Sequence, residues 1–450
     1  MIKYVPQMND ETIEGAGGIS LTVDGYRAIA HASIAVDSIT VLSGVNASGK
    51  SSIAHLMHTL VNFSANFELY ARRWALSRIR RIMRPVDDFY SVGEDKLMRP
   101  RLGKMLESGS SVSEMVDSCR KYIQMVFDNV DVGDVGPTLK RAYAMLRRDL
   151  NLREDFGDVE RVKKILNDNL SKVETDYNRS VKNRRLDPLL SVAPDASSWL
   201  LQNGKVVLQE EGVDIYRAEM GQDDELQVST PPQDLIGIDR SIYIASPWTS
   251  VPQIRDSRVT LGDEFFCRCN EDFSPDNTLF EVLDGDIELK ADEGIGRWAL
   301  RQDPFWEYKR LDGRRFLWRD LATGLKSLSI LNILYKNGCL DSRTLLIIDE
   351  PEAHLHPQWI VEYARILVLI AKRLKVRMLL ASHSPDMISA IGGIAEAEAL
   401  EGVRFYLAEH RKDMQEYTYE YKELGKDVEP IFKAFNKAID AVEMYTPSFQ

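Results

Sequence analysis

The fold of this chain is decided by one stretch, Gly44-Val45-Asn46-Ala47-Ser48-Gly49-Lys50-Ser51. The stretch fits G-x-x-x-x-G-K-[ST], the pattern of a phosphate-binding loop. The apolar run at residues 38–43 predicts a strand before it, and apolar residues at helical spacing predict a helix from Ser52 onward. Because the motif needs a strand, a glycine loop and a helix in this order, the sequence predicts a binding site for a chain of phosphates.

The residue types of the loop suit a nucleoside triphosphate. Gly44 and Gly49 allow the backbone to bring N–H groups against phosphate oxygens, and the start of the helix adds partial positive charge. We expect Lys50 to contact the β- and γ-phosphates and Ser51 to bind Mg²⁺. The predicted cofactors are therefore ATP and Mg²⁺. The predicted nucleotide-binding residues of the loop are Gly44, Asn46, Gly49, Lys50, Ser51 and Ser52.

The composition indicates a globular protein with an uneven charge distribution. The 450 residues are 44% hydrophobic and 28% charged, with a net charge of −12. Residues 71–190 carry 25 Lys and Arg against 19 Asp and Glu, so this segment has a net charge of +6 and the remainder −18. The whole surface therefore does not attract nucleic acid, although a local basic surface in the segment remains compatible with it.

Cysteine spacing and hydropathy predict the compartment. Among the four cysteines only Cys267 and Cys269 are close in sequence, and without a second pair they do not predict a zinc site. Residues 1–18 have no apolar signal core, and no apolar run has the length of a membrane-spanning helix. We expect a cytoplasmic protein with reduced thiols and no membrane association.

A long charged segment follows the phosphate loop. From residue 63 to about 185 the pattern is mostly helical, with a break at residues 132–137. Its basic residues lie beside Tyr70 and Trp74 in one cluster, Arg72, Arg73, Arg78, Arg80, Arg81 and Arg84, and in a second cluster, Lys140, Arg141, Arg147, Arg148 and Arg153. Two interpretations remain open, a grip on a nucleic-acid backbone and a solvated helix surface with local ion pairs.

Strand-like runs recur on both sides of this segment. Residues 204–218 alternate like a hairpin, and continuous apolar runs lie at 241–247, 345–348, 376–381 and 403–407. Helical patterns between the last three predict parallel strands covered on both faces. The expected fold class is α/β, a phosphate-loop ATPase head with a mixed or parallel sheet that a mainly helical insertion splits.

We divide the chain into four segments. Residues 1–62 are the N-terminal part of the head with the phosphate loop, and residues 63–200 are the helical insertion. Residues 201–340 are a β-rich segment with a second motif, and residues 341–450 are the C-terminal part of the head. Two features keep alternatives open. Tyr26 either packs on a half-buried strand or stacks on a base, and the amphipathic pattern at 431–442 either packs on the head or binds a partner.

An acidic pair follows the strand at residues 345–348. We expect Asp349 to hold the Mg²⁺ that Ser51 binds, and Glu350 to act as the general base that polarises the attacking water. Two acids after an apolar strand are weakly specific by themselves. The pair is more specific here because the run Pro351-Glu-Ala-His-Leu-His-Pro357 follows it.

Histidines occur after this strand and after the next one. His383, in the run Ser382-His-Ser-Pro385, falls at the carboxyl end of a strand, where ligands of open α/β sheets bind. We expect His383 to hydrogen-bond the γ-phosphate, with a structural role as the alternative. His354 and His356 lack an evident third metal ligand, so we place them in a loop at a dimer interface.

A second anion site is predicted where a helix begins at residues 321–328 (LATGLKSL). One phosphate loop has little use for another anion site in the same chain. We therefore expect Ala322, Thr323 and Gly324 to contact the nucleotide that a second protein molecule binds.

The order of these motifs resembles ATP-binding-cassette ATPases of the AAA type. More narrowly it resembles the branch with the structural-maintenance-of-chromosomes (SMC) proteins, the double-strand-break-repair cassette ATPases and the overcoming-lysogenization-defect group. The run Glu350-Pro-Glu-Ala-His-Leu-His-Pro357 is similar to bacterial members of that last group. Such ATPases occur in phage-defence systems such as Septu and PARIS, beside a separate effector. The resemblance covers about residues 19–62 and 310–395, and the insertion resembles no family that we can name.

The resemblance implies a head-to-tail homodimer, or a higher even oligomer, with two ATP molecules at the interface. Each ATP would contact the signature residues 322–324 of one subunit and the motif residues of the other. These motif residues are Lys50, Ser51, Asp349, Glu350 and His383. The family signature usually has serine where this chain has Ala322, and Thr323 offers a hydroxyl one position later. The glutamine that usually helps to bind Mg²⁺ has no assigned position.

These observations predict an ATPase that hydrolyses ATP to ADP and phosphate and closes and opens as a dimer. The expected role is the sensor or regulatory ATPase of an anti-phage defence system whose separate effector is a nuclease or a toxin. One alternative is a nucleic-acid-binding clamp in DNA repair or chromosome maintenance that uses the basic insertion. Another is a scaffold that binds ATP tightly and seldom hydrolyses it.

Overall fold

The computed structural model describes most of the chain, and two units make up the whole. The described residues are 18–91, 111–128, 159–184, 200–223, 226–245, 273–289, 306–411, 418–425 and 427–433. Contacts between residues separate the unit Asn66–Leu186 from a larger unit formed by Met1–Ala65 and Asp187–Gln450. The predicted four-segment division stays a prediction.

The strands belong to the larger unit. Their bounds are β1 Ile19–Tyr26, β2 Ile29–Val36, β3 Ile39–Ser43, β4 Leu200–Glu210, β5 Val213–Met220, β6 Leu226–Thr230, β7 Arg240–Ala245, β8 Gly285–Leu289, β9 Trp306–Arg310, β10 Arg315–Leu317, β11 Thr344–Asp349, β12 Arg377–Ala381, β13 Val403–His410 and β14 Tyr419–Glu423. In the described part of the chain, eleven strands form one sheet in the order β6-β5-β4-β1-β2-β14-β13-β3-β12-β11-β7. Strands β8, β9 and β10 form a separate antiparallel sheet.

The part of the large sheet that carries the motifs is parallel. Strand β3 lies between β12 and β13, β11 lies between β12 and β7, and all of these neighbours are parallel. Strands β3 and β11 are buried along nearly their whole length, which explains why their apolar runs are unbroken rather than alternating. Strands β1, β2, β4, β5 and β6 extend the sheet as antiparallel neighbours. The predicted α/β class with a mixed sheet is confirmed.

Helices cover both faces of the parallel part. The α-helices in the described part of the chain are α1 Lys50–Ala65, α2 Phe67–Ser91, α3 Val112–Asp128, α4 Val159–Asn183, α5 Thr323–Lys336, α6 Pro357–Leu374 and α7 Pro385–Ala397. Helices α5, α6 and α7 share a core with Val41, and α1 shares the opposite core with Leu42. Since successive side chains of a strand point to opposite faces, the short β3 contributes to both cores.

The described part of the smaller unit consists of α2, α3 and α4 around a core of its own. Ala75, Ile79 and Met83 of α2 are buried there with Tyr122 and Leu166. The four-residue spacing of the α2 positions puts them on one side of the helix. The predicted break at 132–137 and the second basic cluster, from Lys140 to Arg153, lie outside the described residues.

Two details differ from the sequence expectation. Helix α1 begins at Lys50, inside the motif, because the glycine loop itself leads into the first helical turn. The sequence does not predict strand β14, because its short run YEYKE carries too few apolar residues. The pair Cys267 and Cys269 and the end of the predicted C-terminal helix lie outside the described residues. Among the helices that the structure describes, none is both long and apolar enough to cross a membrane.

Candidate functional site

The phosphate loop joins β3 to α1 through backbone conformations that need glycine. Gly44 has φ +149° and Gly49 has φ +96°, values that L side chains rarely adopt. A Cβ on Gly49 would lie 2.7 Å from Ile29 Cγ1, and a Cβ on Gly44 would lie 2.7 Å from Ala408 Cβ. The helix begins directly after the loop, where the Ile53 N–H donates to the Gly49 carbonyl at 3.0 Å. A side chain at either glycine would therefore distort the loop.

Lys50 is buried at the first position of α1. Its Nζ donates to the carbonyl oxygens of Gly44 at 2.8 Å and Val45 at 2.9 Å. Burial lowers the pKa of the Lys50 ammonium, and the nearby carboxylates, Asp349 foremost, oppose this shift. The ammonium thus lies inside the loop, where a bound phosphate chain would need a counter-charge.

The ends of three parallel strands bring the other motifs to the loop. Asp349 closes β11 and lies opposite both Ala381 of β12 and Ala245 of β7. Ala381 in turn pairs with Leu42 of β3. Because the carboxyl ends of parallel strands share one edge, the phosphate loop, the acidic pair and the histidine loop meet there.

Asp349 has one carboxylate oxygen in use and one unpaired. Its Oδ2 accepts a hydrogen bond from the Tyr243 hydroxyl at 3.1 Å. Its Oδ1 is buried and has no hydrogen-bond partner among the described residues. Burial raises the pKa of Asp349, while the hydroxyls of Ser51 and Tyr243 act in the opposite direction. Hard oxygen donors of this kind are what Mg²⁺ prefers, so Asp349 and Ser51 fit the metal ion that the motif implies.

Glu350 has an unusual backbone conformation. Its φ is +53°, which is uncommon for a residue other than glycine. Its N–H donates to the Ala381 carbonyl at 2.8 Å, which ties the residue to the end of β12. Its side chain is 39% exposed, so the carboxylate is accessible to water. Strained backbone of this sort is typical of functional sites.

His383 lies between two carboxylates. Its Nδ1 is 3.6 Å from Glu350 Oε1 and 3.4 Å from Glu352 Oε1. The ring is 43% exposed, so it remains accessible from outside the loop. The structure therefore brings the histidine to the acidic pair, as expected from its place after β12.

The other predicted loop residues have varied surroundings. Asn46 and Ser51 are exposed, and the Ser52 hydroxyl accepts a hydrogen bond from the Arg27 guanidinium at 3.1 Å. Beneath the loop, Ser48 Oγ is buried and has no hydrogen-bond partner in the described part of the chain. Tyr26 is only 2% exposed, which favours the packing alternative over base stacking.

The signature residues lie at the start of α5. Ala322 is the exposed N-cap, and no side chain caps the helix there. A Cβ on Gly324 would lie 2.8 Å from Leu355 Cδ2 and 3.2 Å from the His354 carbonyl oxygen, so packing within this subunit already requires glycine. Uncapped N–H groups at a helix start are able to bind an anion, and the role of this turn as an anion site stays a prediction. Among the described residues, no hydrogen bond joins this turn to the phosphate loop.

The histidines of the loop after β11 have local roles. The Nδ1 of His356 accepts a hydrogen bond from the Gln358 N–H at 3.4 Å and caps α6. His354 has φ +62° in the preceding turn. The described residues contain no cluster of three or more His, Cys, Asp or Glu side chains suited to a metal ion. A position of this loop at a dimer interface stays a prediction.

Three contacts of the site involve residues for which the sequence predicts no role. Tyr243 lies on β7, in a run read as a buried strand, yet its hydroxyl reaches Asp349. Glu352 lies in the run after β11 and is buried, but its burial is visible only in the structure, so the sequence offers no signal for it. Tyr421 of β14 donates to the Ser48 carbonyl at 3.3 Å and supports the phosphate loop from below.

Comparison with known proteins supports the class of fold and site. A family model described as "AAA domain, putative AbiEii toxin, Type IV TA system" matches residues 214–389. The matched range includes the acidic pair and His383, and the phosphate loop lies before it. No curated protein sequence matches the chain. The predicted resemblance to AAA-type ATPases of the ATP-binding-cassette kind is confirmed.

Similar solved structures are heads of SMC proteins. The SMC head domain from Thermotoga maritima is 13% identical, covers 90% of this chain and 98% of its own, and has a TM-score of 0.38. An SMC head bound to the C-winged helix domain of ScpA is 10% identical, with coverages of 92% and 98% and a TM-score of 0.39. A head with an extended coiled coil from Pyrococcus furiosus, bound to the C-terminal domain of ScpA, is 10% identical, with coverages of 93% and 98% and a TM-score of 0.32. At these TM-scores the structural likenesses carry no argument. The sheet topology and the family match together support a nucleotide-binding ATPase.

Proposed function

We propose that this protein binds Mg·ATP and hydrolyses it to ADP and phosphate, and that two copies pair head to tail around two ATP molecules. The observation that supports this most is the convergence of the loop lysine, the acidic pair and the histidine at one edge of the parallel sheet. These groups come from three separate stretches of sequence. A purely structural strand end would not need a buried ammonium and an unpaired carboxylate oxygen beside it.

Each side chain has a defined task in this proposal. Lys50 neutralises charge on the β- and γ-phosphates in place of its present carbonyl partners. Ser51 and Asp349 hold Mg²⁺, which supplies charge neutralisation at the phosphates when bound. Glu350 accepts the proton of the attacking water, and His383 hydrogen-bonds the γ-phosphate.

The second half of each site would come from the partner subunit. The exposed Ala322, the adjoining Thr323 and the uncapped first turn of α5 offer N–H groups and a hydroxyl to a phosphate. Since ATP would then contact both subunits, its binding would stabilise the dimer over free chains. Thr323 supplies the hydroxyl that Ala322 lacks.

The Lys50→Ala variant tests the nucleotide site. Phosphate release from Mg·ATP is expected from the wild-type chain and is expected to be lost in Lys50→Ala, together with weaker nucleotide binding. Lys422→Ala, which removes a surface lysine paired with Glu409, is the matched control and should hydrolyse normally. Undiminished phosphate release by Lys50→Ala would contradict the proposal.

We further propose that the dimer is the sensor or regulatory ATPase of an anti-phage defence system with a separate nuclease or toxin as effector. The similarity of residues 350–357 to phage-defence ATPases and the toxin–antitoxin description of the matched family support this role. The test is plaque formation on cells that carry the gene with and without its neighbouring genes. Protection should require both the neighbours and Lys50. Full protection by this gene alone would rule out a separate effector.

A second candidate function, nucleic-acid binding by the insertion, is favoured by one surface of α2. Arg73, Arg80, Arg81 and Arg84 are exposed there. At 100° per residue they lie within about 100° around the helix, over a length of about 16 Å. No acidic residue occurs between residues 69 and 86. A row of exposed guanidinium groups suits a phosphodiester backbone.

The salt dependence of binding tests this surface. The triple variant of Arg73, Arg80 and Arg81 to Glu should bind DNA or RNA more weakly, and the slope of log K against log salt should fall by up to roughly 3. The matched control changes three exposed lysines of α4 to Glu, namely Lys164, Lys172 and Lys182. Equal effects of the two triple variants would mean that α2 is an ordinary solvated surface. Basal ATP hydrolysis should be unchanged in both.

A further inference from the structure

One buried carboxylate holds the loop that carries His383. The Glu352 side chain is 5% exposed, and its Oε1 accepts hydrogen bonds from the Ser382 hydroxyl at 2.9 Å and the His383 N–H at 2.8 Å. The Ser382 hydroxyl oxygen in turn accepts from the Ser384 N–H at 3.1 Å. Burying a carboxylate is unfavourable unless protein donors replace its water. The loop after β12 supplies these two donors, so Glu352 ties that loop to the one after β11.

The same carboxylate also lies beside the imidazole. The His383 Nδ1 is 3.4 Å from Glu352 Oε1, and neither Nδ1 nor Glu352 Oε2 has a hydrogen-bond partner among the described residues. An approach of roughly 0.5 Å would give a normal hydrogen bond. A carboxylate next to one ring nitrogen keeps a proton on that nitrogen. Nε2 is then the nitrogen left for a group outside the loop, and it donates when the ring carries both protons.

We propose that Glu352 is a positioning residue for hydrolysis, which fixes the tautomer and orientation of His383 and keeps the ring beside the Glu350 carboxylate. This inference rests on the proposed function, in which His383 contacts the γ-phosphate. Glu352 itself touches neither the nucleotide nor the water in this scheme. Its loss should therefore act through His383.

The first test reads the histidine directly and needs no nucleotide. Nitrogen-15 NMR of the histidine side chains distinguishes Nδ1–H from Nε2–H, and the His383→Gln variant assigns the signal among the seven histidines. We expect a proton on Nδ1 of His383 in the wild type and a shift toward the Nε2–H tautomer in Glu352→Gln. Unchanged His383 signals in Glu352→Gln would overturn the proposal.

The second test separates positioning from simple loss of structure. Glu352→Gln should lower kcat about 10- to 100-fold, as small misplacements of catalytic groups do, while the Kd for ATP stays within about twofold. If Glu352 acts through His383, the double variant Glu352→Gln/His383→Ala should be no slower than His383→Ala alone. Additive losses would overturn the proposal. Glu396→Gln, the same change at an exposed position of α7, is the control.

The effect of Glu352 on the His383 tautomer is distinguishable from the role of His383 in hydrolysis. Wild-type turnover in His383→Ala would refute the role of His383 in hydrolysis, and the NMR result would still decide whether Glu352 sets its tautomer. Should Glu352→Gln fail to fold, Ser382→Ala removes one donor and leaves the charge in place. Ser382→Ala should then shift the His383 signals and lower kcat by a smaller factor. No change in either would overturn the proposal.

Discussion

Replacing Tyr243 with phenylalanine removes one hydroxyl from the acidic pair and keeps the ring. That hydroxyl donates to Asp349 Oδ2 at 3.1 Å, and the other oxygen of this carboxylate has no hydrogen-bond partner among the described residues. A hydrogen bond to a charged group contributes about 1.5–3 kcal/mol. Under the proposed function Asp349 holds Mg²⁺, and loss of an outer partner of a metal ligand typically weakens metal binding roughly 10- to 100-fold. That factor equals about 1.4–2.8 kcal/mol, so the two estimates agree.

The measurement is the Mg²⁺ concentration that gives half-maximal phosphate release at fixed ATP. It should rise about 10- to 100-fold in Tyr243→Phe, with kcat at saturating Mg²⁺ close to that of the wild type. Burial raises the pKa of Asp349, so protons compete with the metal ion for this carboxylate. The difference in Mg²⁺ requirement between Tyr243→Phe and the wild type should therefore widen as the pH is lowered. Tyr406→Phe removes a comparable hydroxyl, 3.2 Å from Glu423 Oε2, and is the control. A Mg²⁺ dependence within twofold of the wild type in Tyr243→Phe would refute the reasoning.

Three other changes probe hydrolysis, the subunit interface and the core. Glu350→Gln should still bind Mg·ATP but slow hydrolysis at least about 100-fold, so that an ATP-dependent dimer accumulates. Light scattering measures its mass. The same mass with and without ATP, together with wild-type turnover, would exclude this mechanism. Adding Ala322→Asp should disperse that dimer through charge repulsion, and it is a cleaner probe than Gly324→Asp, whose side chain would collide with Leu355 of its own subunit. Burial lowers the pKa of His58 to about 3, so the unfolded chain takes up a proton below pH 6.5 that the folded chain excludes. The free energy of unfolding should then fall by about 1.4 kcal/mol per pH unit below 6.5. Urea unfolding of the wild type and of His58→Asn at pH 7.5 and 5.5 measures this fall, which should be smaller in the variant. Equal falls would contradict the lowered pKa of His58.

The parts of the fold that were predictable are those with local signals. A glycine pattern identifies the phosphate loop, and unbroken apolar runs identify β11 and β12, because a strand covered on both faces has no polar side. The pairing of β1 with β4 gave no such signal, because it joins residues on either side of the insertion. Strand β14 pairs with β13 across only 9 to 17 residues, but its pairing with β2 joins residues about 390 apart.

Within the site, the predictable residues were those that end a strand. Asp349 and His383 follow apolar runs, and the shared edge of a parallel sheet brings them together. Tyr243 could not be singled out, because an aromatic residue inside an apolar strand gives the same pattern whether or not its hydroxyl reaches a carboxylate. The sequence predicts only an anion contact for Gly324, because its packing against Leu355 depends on a fold that no local pattern contains.

The position of β3 between β12 and β13 has a consequence for the newly made chain. Residues 39–43 leave the ribosome early, yet the strands on either side of them, Arg377–Ala381 and Val403–His410, begin 334 and 360 residues later (377 − 43 and 403 − 43). At about 5–20 residues per second this delay lasts roughly 20–70 s. The insertion, which has its own core, can fold meanwhile. The chain therefore has to keep the two edges of β3 from aggregating until the strands that pair with them emerge.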